Sequence, residues 1–364
     1  PHEDLIRYTK INNKKFHFIY PYLFFSKKKK TFNIKDKEIF SRLIGDDLKV
    51  LTNQYNCHSI NNYIPMITDI IWELIVAADE NINQAEEYFM KNEKKGIVIT
   101  SLGTIESRLI AMAAKNCDLQ VIGSVHGNNT GFSLSKTNIY LEMSLCDKYI
   151  LQTTGSKKLY KKFIRKNDIH VKAILESQEM GKYVVPPITK SNTLDQTKMI
   201  NVMVLEYPLT EHFYQYKHLF WPLQLRLTLD IGNSLKDKRI NSIIKLHPDR
   251  LEESKNLYSG YYMNALEQKF EEVYEKADVL IFTHLFSTTF SLALATNKPI
   301  MVFSTYLDNL EPEVISLLSR RCIIIKSKIS SEGNLQFSKK EILEKCIKAQ
   351  EYDISYDIIK DLMS

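Results

Sequence analysis

The sequence predicts an α/β protein made of two doubly wound, parallel-sheet domains. Short apolar runs alternate with amphipathic segments of helical period along most of the chain, the pattern of strands paired in parallel through crossover helices. Several of those runs stop abruptly at polar side chains, as strands do where they reach the carboxyl edge of an open sheet. A length of 364 residues exceeds one ordinary core and suits two.

In chain order, Ile64 to Ala78 reads as an apolar helix. Gly96 to Thr100 is a buried strand, and Ile105 to Lys115 is the helix that follows it. Leu119 to Val125 is a second strand, ending at His126-Gly127-Asn128-Asn129, and Lys148 to Leu151 is a third. The polar, proline-punctuated stretch Val184 to Thr193 reads as an interdomain linker. Beyond it, strands are expected at Asn201 to Leu205, Ser242 to Leu246, Val279 to Phe282, Pro299 to Phe303 and Cys322 to Lys326. Helices such as Leu266 to Lys276 and Phe290 to Thr296 lie between them. The expected domains are thus 1–185 and 186–338, with an amphipathic segment, Lys339 to Leu362 within 339–364, packing back on the first. Two Rossmann-like domains facing across a cleft form the GT-B arrangement, an architecture that does not by itself define a function.

Hydrophobic residues at 44% and charged residues at 25% mark a globular chain rather than a disordered one. Cys57, Cys117, Cys146, Cys322 and Cys346 show no paired or metal-type spacing, so a reducing compartment is expected. No apolar run approaches the ~18 to 20 residues that span a bilayer, the longest being Phe16 to Phe25. With no signal peptide in the chain, the expected location is cytoplasmic, with peripheral attachment at the inner membrane face. The net charge of +6 is clustered. Lys27 to Lys30 follow the aromatic run, and Lys157, Lys158, Lys161, Lys162 and Arg165 recur at helical spacing opposite Leu159, Tyr160, Phe163 and Ile164. Such a face is either solvated or a seat for an anionic polymer, substrate or membrane; nucleic acid is not expected as a partner.

His247 follows a strand and precedes Pro248, which keeps the chain extended and stops the strand from running on into a helix. Its imidazole N–H can donate to a phosphate oxygen, though a histidine ending a strand also needs no ligand. Lys245 is a weaker candidate for the same side. Ser287-Thr288-Thr289 precede the helix expected at Phe290, where hydroxyls and first-turn N–H groups can address one anion; N-capping alone accounts for one of the three. In the first domain, Ser101 to Arg108 joins strand to helix. There Thr104 suits an N-cap, and Glu106 suits either the helix dipole or a general base. His126 is the other base candidate, or a residue that orients an acceptor. The chain has no P-loop, no GxGxxG, HExxH or GxSxG, and no Asp-x-Asp to hold a metal on a nucleotide diphosphate. These absences favour a leaving group with one phosphate, manageable by a histidine, hydroxyls and helix N–H groups.

Lys245-x-His247-Pro248 with the later Ser/Thr cluster resembles the donor half of bacterial sialyltransferases, which have a GT-B fold. Among these the capsular polysialyltransferases are most similar, since Gly103-Thr104-Ile105-Glu106 resembles the region of their proposed base and the basic helix suits an anionic polymer. An acidic-acidic-Gly motif is not recognisable at its usual strand end. The resemblance implies inverting, metal-independent transfer from CMP-sialic acid onto a polysialic acid chain, with no cofactor besides the donor. Glu106 would deprotonate the acceptor, and His247, Pro248, Ser287, Thr288 and Thr289 would hold CMP. His126, Lys157, Lys158, Lys161, Lys162 and Arg165 would hold the anionic polysaccharide, with capsule-assembly proteins as further partners. Three alternatives stay open: a transferase of Kdo or a related sugar acid from a CMP donor, a glycerol-phosphate polymerase, and a non-catalytic polyanion-binding capsule-assembly protein.

Overall fold

The structure, a computed structural model, describes residues 34–93, 95–125, 134–177, 199–208, 221–285, 287–308 and 310–362. The aromatic run, Lys27 to Lys30, His126 to Asn129 and the linker at Val184 to Thr193 lie outside the described residues. The fold is α/β, with two parallel-sheet units. By contact, the described residues within 1–124, 137–150 and 169–176 form one unit, and those within 125–136, 151–168 and 177–364 form the other.

The first unit opens with α1 (Ile34–Gln54) and α2 (Ile64–Lys91), packed against each other. Helix α2 runs well past the expected Ala78, because Asp79 to Glu87 contains no glycine or proline and Ala85 and Phe89 bury against the unit. Then come β1 (Gly96–Ile99), α3 (Ile105–Asn116), β2 (Gln120–Ser124), α4 (Lys136–Met143), β3 (Lys148–Leu151) and, after α5 (Thr154–Lys166) of the second unit, β4 (Ile174–Ser177). The sheet order is β1-β2-β3-β4, with β1/β2 and β2/β3 parallel. The Thr104 hydroxyl starts α3 by accepting the Ser107 N–H. Among the described residues no helix is long and apolar enough to cross a membrane.

The second unit contains α5 (Thr154–Lys166), β5 (Ile200–Leu205), α6 (Trp221–Ser234), β6 (Ile240–Lys245), α7 (Leu251–Tyr258), β7 (Asn264–Leu266), α8 (Phe270–Val273), β8 (Val279–Phe282) and α9 (Thr288–Leu294). It continues with β9 (Ile300–Phe303), α10 (Pro312–Arg321), β10 (Ile323–Ile325), the hairpin β11 (Ser327–Ile329) and β12 (Leu335–Phe337), α11 (Lys339–Ile347) and α12 (Asp357–Leu362). Strand order is β10-β9-β8-β5-β6-β7, parallel throughout. Counting strands from β5, this is 3-2-1-4-5-6, the dinucleotide-fold order, whose direction reverses between β5 and β8. Val202 to Val204, Val279 to Phe282 and Ile300 to Phe303 are wholly buried, since helices cover both faces of such a sheet.

One element differs from expectation. The helix over Leu266 to Lys276 yields its start to β7, which pairs with β6, and the rest is α8 with a 3-10 turn, Tyr274–Lys276. Pairing with a neighbouring strand outweighs local helical period there. Of the C-terminal segment, Ile342, Cys346, Ile358 and Ile359 join the core of the second unit, and α12 packs on α10 and on α5, a helix that lies within 1–185 and groups by contact with the second unit. Close approach at α5 depends on Gly155, where a Cβ would stand 2.1 Å from the Asp361 carbonyl oxygen. The Thr153 hydroxyl caps α5 and also donates to the Leu362 carbonyl.

Candidate functional site

In a sheet of this order, the crevice lies beyond the carboxyl ends of β5 and β8. Glu206 and Tyr207 follow β5, His247 follows β6, and Thr283 and His284 follow β8. The Thr283 hydroxyl donates to the Leu205 carbonyl at 3.3 Å, tying the two switch strands together. The Tyr207 and His284 rings meet edge to face with centroids 4.7 Å apart.

His247 is half-buried, its side chain 32% exposed. Its backbone N–H donates to Glu206 Oε2 at 2.6 Å. Its Nδ1 accepts the Asp249 N–H at 3.3 Å, with an Asp249 carboxylate oxygen 3.5 Å from the same nitrogen. An acceptor at Nδ1 requires the proton of the neutral ring to sit on Nε2, which leaves that nitrogen as a donor. Burial lowers the pKa of His247; Asp249 opposes the shift and Lys245 adds to it. Pro248 is exposed, and the turn ends at Arg250, left-handed at φ 60°.

Lys245 is turned into the protein rather than exposed at the strand end. It is 8% exposed, its Nζ donates to the Leu246 carbonyl, and burial lowers its pKa against the pull of Glu206 and Glu271. His284 is buried, and burial together with the charge of His247 brings its pKa down to about 3, so the ring is neutral across the physiological range. Glu206 is 5% exposed; burial pushes its pKa up, opposed by the His247 N–H first and then by Ser254, Tyr258 and Lys245. Glu206 and His284 are not among the residues that the sequence motifs single out. The available signal was a polar residue immediately or one step after an all-apolar strand, in Val204-Leu205-Glu206 and Phe282-Thr283-His284.

Ser287 is the N-cap of α9, its hydroxyl accepting the Phe290 N–H at 3.0 Å; Thr288 is exposed and Thr289 half-buried. The helix therefore starts two residues earlier than expected. Its far end is held by Arg321, whose buried guanidinium donates to the carbonyls of Ala293, Leu294, Thr296 and Lys298.

In the first unit, Glu106 is exposed on the first turn of α3, and His126 lies outside the described residues. The carboxyl engaged at the end of β1 is Glu142, which accepts the Ser101 hydroxyl at 3.1 Å and the Leu102 N–H at 3.0 Å and has its pKa raised by burial. Helix α5 has the expected two faces. Leu159 and Phe163 are buried, Lys158, Lys161, Lys162 and Arg165 are exposed, and Lys157 is half-buried. Lys162 pairs with Glu313, and Lys166 pairs with Glu311 at 2.9 Å, so acidic residues at the start of α10 neutralise part of that face. Lys161, Lys162, Arg165 and Lys166 line one shallow depression. Among the described residues, no three His, Cys, Asp or Glu side chains are grouped to hold a metal ion.

No family model matches the sequence, and no curated protein matches it. Among solved structures the chain is similar to MurG of Acinetobacter baumannii, at 11% identity over 79% of this chain and 78% of that one, with a TM-score of 0.42. It is similar to a putative UDP-N-acetylglucosamine 2-epimerase from Listeria monocytogenes, at 12% identity over 79% and 74%, TM-score 0.44. A glycosyltransferase from Rickettsia africae matches at 11% identity over 79% and 80%, TM-score 0.41.

Proposed function

We propose that this chain is a glycosyltransferase using a nucleotide-sugar donor, and that the donor is CMP-sialic acid, transferred with inversion and without a metal onto a growing polysialic acid at the inner membrane face. The observation that carries this reading is the state of His247. With Nδ1 occupied by the Asp249 N–H, the neutral ring keeps its proton on Nε2 beside the strand ends where such a sheet binds its ligand. In the reaction, a base on the acceptor side, Glu106 or His126, takes the proton of the acceptor hydroxyl. The oxygen attacks the anomeric carbon, and the bond to CMP breaks on the opposite face with its electron pair leaving on the phosphate. The Nε2–H donor stabilises that growing charge, and Ser287, Thr288 and Thr289 supply further polar groups. The remaining cations of α5 suit a polymer with a carboxylate on every sugar.

Calorimetric titration with CMP and UMP, and turnover of CMP-sialic acid and CMP-Kdo, test the reading. His247→Ala is expected to lower CMP-sialic acid turnover by about 10²-fold or more, the loss typical of one transition-state donor. A variant as fast as the wild type, or a protein that does not prefer CMP to UMP, overturns it.

A further inference from the structure

The β5/β6 ladder ends with Leu205 opposite Lys245, and just beyond it the Glu206 N–H donates to the Lys245 carbonyl at 3.1 Å. The next amide on the β6 side, that of His247, turns to the Glu206 carboxyl, with Oε2 at 2.6 Å. A side-chain oxygen thus stands where a strand carbonyl would otherwise continue the ladder. Past this point the turn has few backbone donors to anchor it. Pro248 has no N–H, the Asp249 N–H is used on the imidazole, and Arg250 is left-handed.

The placement is costly. Glu206 is 5% exposed, and the hydroxyls of Ser254 and Tyr258 on α7 lie close enough to its carboxyl to favour the charged form. The His247 N–H, among the described residues, is the donor with full hydrogen-bond geometry on that carboxyl. Burying polar atoms in this way destabilises a fold, and an apolar residue of similar volume would fill the space more cheaply. Costly polar burial beside a ligand crevice points to a role in the site.

We propose that Glu206 is a positioning residue of the donor site: its carboxyl oxygen clasps the His247 amide and, through it, holds the imidazole at the edge of the crevice. The role rests on the donor-site reading above and acts through His247, without contact to the substrate.

CMP affinity and the NMR titration of the His247 ring are measured for Glu206→Gln, Glu206→Met and Glu206→Asp, alone and in a His247→Ala background, with thermal melts as the check on folding. Glu206→Gln keeps an acceptor of the same reach and is expected to bind CMP within about threefold of wild type. Glu206→Met keeps the volume without the acceptor and is expected to bind about 10-fold more weakly or worse, with no further loss once His247 is alanine. Glu206→Asp, shorter by one methylene, is expected to behave like Glu206→Met and serves if the latter does not fold. In both, the His247 titration moves up toward the ordinary histidine value, whereas Glu206→Gln leaves it lowered. Wild-type affinity in Glu206→Met and Glu206→Asp, or equal losses with and without His247, overturns the proposal. A wild-type protein that ignores CMP instead sinks the donor-site reading, and the ring titration then decides the Glu206 role alone: an unmoved titration in Glu206→Asp overturns it.

Discussion

Two buried residues show how single side chains hold the candidate site. Arg321 serves four carbonyls around the end of α9, of which that of Ala293 also accepts the Thr296 N–H and hydroxyl. Arg321→Met is therefore expected to cost about 3 kcal/mol or more in a denaturant titration, since several buried acceptors lose a charged partner at once. His284 gives a signature in pH. Its folded pKa of about 3 lies below the unfolded histidine value near 6.5, so the unfolded chain binds the proton first. That contribution to stability is complete above about pH 6.5 and is lost as pH falls toward 3, by about 2 to 3 kcal/mol at pH 4.5. His284→Phe, a neutral ring of similar size, is expected to flatten the fall in melting temperature between pH 7 and about 4.5, and an unchanged slope would refute this account. Neither role could be read from one sequence, because a histidine or an arginine acquires its pKa and its partners from chain segments far from it in sequence.

Among the elements, the strands were the legible ones. Covered on both faces, they are continuous apolar runs such as Val202 to Leu205, Val279 to Phe282 and Ile300 to Phe303. Strand β7 was not legible, because Asn264-Ala265-Leu266 is short and largely exposed and becomes a strand through its register with β6. The joint between α5 and α12 was equally hidden, since nothing local at Gly155 announces the Asp361 carbonyl above it. Gly155→Ala places a methyl against backbone and is expected to cost about 1 to 3 kcal/mol, together with faster amide exchange across 357–362. Equal exchange rates in the variant and the parent would show that the two helices part without cost.

At the scale of the whole molecule, the excess of positive charge matters through where it lies. Lys158, Lys161 and Arg165 are exposed and form no ion pair among the described residues, whereas Lys162 is paired with Glu313. Reversing Lys158, Lys161 and Arg165 to glutamate is expected to weaken binding of a sialic acid oligomer and to flatten its dependence on salt between about 50 and 200 mM, while CMP affinity stays unchanged. Oligomer binding equal to the parent would assign this face to solvent. The α/β class, the positions of most strands and the strand-end residues His247 and Ser287 were all legible in the linear sequence, because each depends on local hydrophobic period and on polar residues next to it. Strand order was not, because parallel pairing is a contact between segments tens of residues apart that no local pattern encodes. That order makes the ends of β5, β6 and β8 neighbours, and so brings Glu206 to the His247 amide and sets His284 against Tyr207.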